Sequence, residues 1–222
     1  MTALTATAII SRSSLDAAAA RLKARYPGLR IEPVCADYTD DAFLPAPVFA
    51  SERPDLVIFF PGSTIGNFVP DEARAFLSRM RSIAGARGAM LLGVDTVKSP
   101  RILDRAYNDP EGATAAFNLN VLERINAELD GTFDVAGFCH EARFVPELGR
   151  VEMHLRSRRR QTVRIGPSEV QFEAGEVIVT EYSYKYGGDL FDVLARSAGF
   201  RTRRVWTDPR GMFGVHYLTP AP

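Results

Sequence analysis

The sequence predicts an α/β fold with a mainly parallel sheet and an inserted α+β block, and three observations carry that prediction. Two short runs, Leu56-Val57-Ile58-Phe59-Phe60 and Ala89-Met90-Leu91-Leu92-Gly93-Val94, are apolar without alternation. Runs of that kind suit strands buried on both faces, as in a parallel sheet with helices on either side. Around these runs, residues 1–100 alternate helix, strand, loop, strand, helix and strand, the order of an α/β unit. Past residue 110 the pattern changes to one amphipathic helix followed by several runs of β character.

In chain order, Ser13 or Ser14 can cap a helix through Leu15, Ala18, Leu22 and Tyr26, which Pro27-Gly28 stops. Residues 29–36 read as a strand, with Ile31, Val34 and Cys35 apolar, and a polar, proline-rich stretch fills 37–54. After the first apolar run and Pro61-Gly62, a helix is expected over 70–83 with Phe76, Leu77, Met80 and Ile83 on one face. The second apolar run ends at Asp95. Over 110–129 the spacing of Phe117, Val121, Leu122, Ile125 and Leu129 gives an amphipathic helix, with Asn118 and Asn120 off its apolar stripe. Residues 133–144, 151–165 and 177–186 read as strands separated by Pro146-Glu147-Leu148-Gly149 and Ala174-Gly175. A helix over 189–197 ends at Gly199, suited to a left-handed cap, and 200–207 with 213–218 close the chain as a strand pair.

Composition narrows the function classes. Lys+Arg and Asp+Glu both total 27, so there is no basic excess of the kind a nucleic-acid partner needs. No apolar run approaches the ~20 residues that cross a bilayer. The apolar start, Met1 to Arg12, has no basic residue before it, which does not suit a secretory signal. Cys35 and Cys139 are too few for a disulfide framework and read as reduced thiols, so a cytoplasmic protein is expected.

Three places could hold chemistry. The loop Pro61-Gly62-Ser63-Thr64-Ile65-Gly66-Asn67 follows a buried strand, where ligands bind in open α/β sheets. Its glycines allow close backbone approach and Asn67 offers donor and acceptor, although an ordinary turn capping the next helix would read the same. It lacks the Lys of a Walker phosphate loop. Asp37-Tyr38 and Asp95 with Lys98 end neighbouring strands, where an acid can bind ribose and an aromatic ring can stack on a purine; a turn or cap role is the plainer alternative. The second place is Ala106-Tyr107-Asn108-Asp109-Pro110, where a turn before proline accounts for Asn108 and Asp109. The third is Thr180-Glu181-Tyr182-Ser183-Tyr184-Lys185-Tyr186, whose alternation puts Glu181, Ser183 and Lys185 on one face and the tyrosines on the other. A half-solvated strand looks like this; so does a pocket wall in which Glu181 and Ser183 hydrogen-bond the two nitrogens of an imidazole. His140, His154 and His216 have no metal-ligand spacing, and Arg156, Arg158, Arg159 and Arg160 read as a solvated strand edge. Cys139 and His140 are adjacent on a strand and so point apart, which does not suit a nucleophile and its base.

Together these blocks resemble the histidine-specific Nα-methyltransferases of ergothioneine biosynthesis, which use S-adenosylmethionine. The resemblance rests on Arg25-Tyr26-Pro27-Gly28-Leu29, Ala36-Asp37-Tyr38, the Gly62 to Asn67 loop and Gly93-Val94-Asp95-Thr96-Val97-Lys98. It continues through Ala106 to Asp109, Gly112 to Leu129, Val151-Glu152-Met153-His154-Leu155 and Glu181 to Tyr186, with Tyr107 to Asn126 the most specific block. It implies a partial class I methyltransferase (Rossmann-like) sheet from residues 1–97 and 186–222, and an inserted substrate-recognition domain over 98–185. By the family pattern Asn67 and Tyr107 hold the amino-acid end of histidine, Glu181 and Ser183 read the imidazole, and Met153 shapes that side. Asp37 and Tyr38 sit at the cofactor's adenine with Gly62 close by, and no general base is assigned. Tryptophan stands as an alternative ligand, reached by changes around Met153 and Glu181.

The sequence also departs from the pattern. The family's N-terminal segment, first strand and Gly-rich acidic loop have no counterpart here, and Ile9 occupies the place of the acid that binds the cofactor ribose. A non-catalytic module that binds a histidine derivative, or a partner of a complete paralogue, is therefore the alternative function. Unpaired sheet edges are expected to favour self-association.

Overall fold

The structure is a computed structural model that describes residues 4–9, 11–39 and 56–222. The strands are β1 (Leu4–Ile9), β2 (Arg30–Cys35), β3 (Val57–Phe60), β4 (Ala89–Asp95), β5 (Phe138–Val145), β6 (Arg150–Ser157), β7 (Gln161–Ile165), β8 (Ser168–Phe172), β9 (Val177–Tyr184), β10 (Phe200–Thr207) and β11 (Phe213–Pro220). The helices are α1 (Arg12–Arg25), α2 (Pro70–Ala84), α3 (Pro100–Tyr107), α4 (Ala113–Glu128) and α5 (Leu190–Ser197). The expected α/β alternation is present, and the β-rich middle follows it. Residues 40–54 of the proline-rich stretch lie outside the described residues, as do the side chains of β1, Ile9 among them.

The main sheet has the order β10-β11-β4-β3, with β3 and β4 parallel and β11 antiparallel to both its neighbours. One face of it, carrying Ile58, Phe60, Met90, Leu92, Val94 and Leu218, packs on Phe76, Leu77 and Met80 of α2 and on Phe191 and Ala195 of α5. Helix α2 forms where expected because Pro70 pre-sets its first turn and Glu72 accepts from the Val69 N–H at 3.2 Å. Gly199, at φ +80°, ends α5 as its position suggested.

Among the described residues, strands β1 and β2 form a parallel pair of their own, not hydrogen-bonded to the main sheet, with α1 packed on them. The end of β2 meets the main body where Tyr38 packs edge-on against Phe60 at 5.6 Å and Phe76 at 6.3 Å. Arg79 donates there to the Thr39 carbonyl at 2.6 Å.

The expectation for β3 needs correction. Its continuous apolar run predicts burial on both faces, yet Val57 is 56% and Phe59 65% exposed. These residues face away from α2, β3 is an edge of its sheet, and no described element covers that side. Apolar continuity reports the environment a strand is suited to; the cover itself must come from another element.

The middle block builds a three-stranded antiparallel sheet, β5-β6-β9, with a β7-β8 hairpin beside it. The sequence reading merges β6 with β7 and misses β8 and α3. On α4 Leu122 and Ile125 pack inward as the stripe predicts, but Asn118, 1% exposed, joins them, whereas Phe117 is 66% and Val121 40% exposed. The apolar stripe is wide enough for two rotations of the helix, and Asn118 wins the inward place because the sheet offers it hydrogen-bond partners. At the first helix, Ser11 rather than Ser13 or Ser14 is the cap, accepting from the Ser14 N–H at 3.4 Å. Among the described residues no helix is long and apolar enough to cross a membrane.

Candidate active site

A cavity of about 230 Å³ opens where the ends of β3 and β4 meet β9, lined by Gly62, Ser63, Thr64, Asn67, Asp95, Tyr107, Glu181, Ser183, Lys185 and Phe213. Each wall has a local cause. After β3 the chain turns at Gly62, φ +77°, and Ser63, φ 59°, and then forms a single 3-10 turn, Thr64–Asn67. The Ser63 hydroxyl accepts from the Asp95 N–H at 2.8 Å, tying this loop to the end of β4. Gly66 brings the turn against β9: a Cβ there would lie 2.7 Å from the Tyr184 carbonyl oxygen. That contact admits only glycine and sets Asn67 beside the polar face of β9.

Strand β9 supplies the opposite wall. Its alternation holds as read from sequence, with Glu181, Ser183 and Lys185 toward the cavity and Tyr182 and Tyr184 on the other face. There Arg150 lies 3.8 Å over the Tyr182 ring and donates to the Tyr184 hydroxyl at 2.6 Å.

Tyr107, the last residue of α3, is held by a polar framework. His140 Nε2 donates to its carbonyl at 2.8 Å, and Asn118 Nδ2 donates to His140 Nδ1 at 3.0 Å and to the His154 carbonyl at 3.1 Å. Thr180 Oγ1 donates to Asn118 Oδ1 at 2.6 Å. Asn108 clamps β5, accepting from the Ala142 N–H at 2.8 Å and donating to the Ala142 carbonyl at 2.9 Å. Asp109 accepts from the Ala113 and Thr114 N–H groups at 2.7 and 2.8 Å, and the Thr114 side chain together with these bonds holds its carboxyl down at about 2. Asn108 and Asp109 thus do more than a turn requires: they fix where α3 ends and α4 begins.

The electrostatics are uneven along the cavity. Burial pushes the Glu181 carboxyl up, partly offset by Lys185, and its side chain has no hydrogen-bond partner among the described residues. At the other end Lys185 pairs with Asp95 at 2.9 Å, and Lys98 pairs with the same carboxylate.

Five of the sequence-derived candidates, Gly62, Asn67, Tyr107, Glu181 and Ser183, therefore come together in one cavity. Met153 stands a layer behind: it is 4% exposed, packs in the cluster with Tyr107, and pairs across the sheet with Glu181. Asp37 and Tyr38 lie at the end of β2 and do not line the cavity; Asp37 is occupied with Thr39, whose hydroxyl and N–H hold its carboxyl low. Sequence reasoning placed Lys185 on the correct face and Asp95 at a strand end but could not see that both are brought into the site.

Residues 7–220 match the family described as histidine-specific, S-adenosylmethionine-dependent methyltransferase. The chain belongs to that family. Among its relatives, the histidine Nα-methyltransferase of Mycolicibacterium smegmatis is 41% identical over 203 residues, covering 90% of this chain and 62% of the relative. That of Mycobacterium tuberculosis is 39% identical over 211 residues, covering 93% and 63%. The L-tryptophan methyltransferase of Psilocybe serbica is more distant, 27% identical over 159 residues, covering 70% of this chain and 44% of that one. The chain thus spans less than two thirds of the length of these relatives. In fold it is similar to an S-adenosylmethionine-dependent methyltransferase from Clostridium acetobutylicum, with a TM-score of 0.52 at 12% identity over 98% of this chain and 75% of that one. The expected Rossmann-like class is borne out, and with it the family resemblance.

Proposed function

We propose that this chain forms the substrate site and one side of the cofactor site of an S-adenosylmethionine-dependent methyltransferase acting on the α-amino group of L-histidine. The observation that carries this reading is the meeting of Asn67, Tyr107, Glu181 and Ser183 around one cavity in a member of this family. An imidazole has two ring nitrogens and the cavity offers two partners for them, the Glu181 carboxylate as acceptor and the Ser183 hydroxyl as donor or acceptor. An indole has one ring nitrogen and would use only one of these two partners. Asn67 and Tyr107 line the same cavity and take the amino-acid end, and Met153, behind Tyr107, sets how deep the ring can lie. We divide the chain accordingly into a core of 1–97 and 186–222 and a substrate-recognition part of 98–185.

S-adenosylmethionine supplies an already activated sulfonium methyl, so the task left to this chain is to hold a neutral amine in line with it. The residues fit one side of that cofactor. Gly62 offers backbone at the strand ends, and Gly93 lets Phe213 and the Gly62 loop close on β4, since a Cβ there would lie 2.8 Å from the Phe213 ring and 3.1 Å from the Gly62 nitrogen. The ionised Asp37 at the end of β2 is exposed and can accept from the adenine side, with Tyr38 next to it. By the family pattern Ile9 stands where an acid accepts from the ribose, and an isoleucine side chain offers no acceptor there.

The deciding experiment is calorimetric titration of the chain with L-histidine, Nα,Nα-dimethylhistidine and S-adenosylhomocysteine, separately and together. Binding of histidine and of the cofactor product supports the proposal. Histidine binding without S-adenosylhomocysteine would reduce the chain to a binding module, and a folded chain that binds neither would sink the reading.

Among the described residues β3 is an edge strand with Val57 and Phe59 exposed, which also supports self-association, because an unpaired apolar edge is a template for another strand. Light scattering is expected to show a dimer that Phe59→Lys shifts to monomer; a monomeric unsubstituted chain would remove this part of the proposal.

A further inference from the structure

The proposed reading leaves one buried residue of the cavity without a role. The Lys185 side chain is 1% exposed, and its ammonium has three protons and three acceptors around it. They are Asp95 Oδ2 at 2.9 Å, Tyr107 Oη at 2.6 Å and Ser183 Oγ at 2.7 Å. A buried ammonium persists only when it is paired and hydrogen-bonded in this way. Asp95 cannot neutralise it alone, because Lys98 shares the same carboxylate. The trio of Lys98, Asp95 and Lys185 therefore carries one surplus positive charge at the Tyr107 end of the cavity, opposite in sign to Glu181.

The hydroxyl protons can be counted as well. Tyr107 Oη and Ser183 Oγ are 2.9 Å apart, so one of them donates to the other. Lys185 donates to both, which occupies an acceptor site on each. Of the two hydroxyl protons, one is spent between them and one remains for a ligand. A carboxylate beside Tyr107 would draw that proton to itself, and Ser183 would then donate to Tyr107 and keep its second acceptor site for a ring N–H. Without the ammonium, neither hydroxyl has a fixed direction.

We propose that Lys185 is the positioning residue for the carboxylate end of the amino-acid ligand, acting through Tyr107. It supplies the counter-charge for the carboxylate and aims the Tyr107 hydroxyl at it. This inference rests on the reading of the cavity as a histidine site, and a pair of ligands separates the two. L-histidine has the carboxylate; L-histidinol keeps the imidazole and the α-amine and carries a hydroxymethyl group instead.

In calorimetric titration of the full chain, histidine is expected to bind about tenfold or more tightly than histidinol, the scale of one charge-assisted hydrogen bond. Lys185→Met should abolish that preference, weakening histidine about tenfold while changing histidinol less than about twofold. Tyr107→Phe should have the same selective effect. Equal losses for both ligands would make Lys185 a purely structural residue and overturn the proposal. If Lys185→Met does not fold, the unsubstituted chain still decides: equal affinity for the two ligands overturns the proposal without any variant. A folded chain that binds neither ligand overturns the histidine reading and this inference with it.

Discussion

Glu181→Gln is expected to weaken L-histidine binding by roughly 10- to 100-fold, the range of a hydrogen bond to a charged group inside a protein. The carboxylate faces the cavity, is half-buried, and has no hydrogen-bond partner among the described residues, so its solvation loss, partly offset by Lys185, is fully compensated when a ligand supplies an N–H. The same substitution should leave the fold at least as stable at neutral pH, because it removes a charge that burial disfavours. The sign can be checked by titration. A carboxyl whose folded pKa is raised binds its proton more tightly in the folded state, so its contribution to stability is present below the unfolded value and is lost as pH rises through the folded one. Thermal melts from about pH 4 upward should therefore show unsubstituted chain losing stability relative to Glu181→Gln, starting near the ordinary carboxyl value of 4.5. Unchanged histidine affinity in the variant would remove Glu181 from the site. A Gln variant that melts well below the unsubstituted chain at neutral pH would mean that the carboxylate has a structural partner.

Asn118→Leu should produce the largest loss of stability, about 3 kcal/mol, from several buried polar groups left without partners at ~1–3 kcal/mol each. Asn118 is 1% exposed and connects α4 to His140, to the His154 carbonyl and to Thr180. For a chain of this length that cost corresponds to a fall in Tm of roughly 6–12 °C. The effect should reach the site as well, because His140 in turn holds the Tyr107 carbonyl. Calorimetric melting and histidine titration of the same variant test both halves. A small change in Tm would mean that water replaces the lost partners; a large one with unaltered affinity would mean that Tyr107 is held by Asn108 and its neighbours alone.

These two residues show how unequally the sequence speaks. Glu181 was legible because strand alternation is strict: once Glu181, Ser183 and Lys185 are on a strand, they share a face whatever surrounds it. Asn118 was not. Helical periodicity defined a stripe through Phe117, Val121 and Leu122, and an asparagine beside that stripe reads as solvated. The β5-β6-β9 sheet reverses the assignment by presenting the His154 carbonyl and His140 Nδ1 to it, and Phe117 turns outward. Met153 and Tyr38 belong to a third kind, whose contacts with Tyr107 and with Phe60 and Phe76 follow from packing that no local pattern encodes.

By itself the sequence determined the alternation of helices and strands, the turn after β3, the polar face of β9 and the family. All of these rest on short-range rules: side-chain period, glycine at positive φ, and motif order. The tertiary structure alone decided that Val57 and Phe59 lie uncovered, that Asn118 faces inward, and that Lys185 and Asp95 form a buried ion pair beside Tyr107 and Ser183. The physical reason is common to all three. A local pattern specifies which residues share a face, but burial, charge pairing and hydrogen-bond satisfaction depend on what stands opposite that face, and here the opposing groups come from distant parts of the chain.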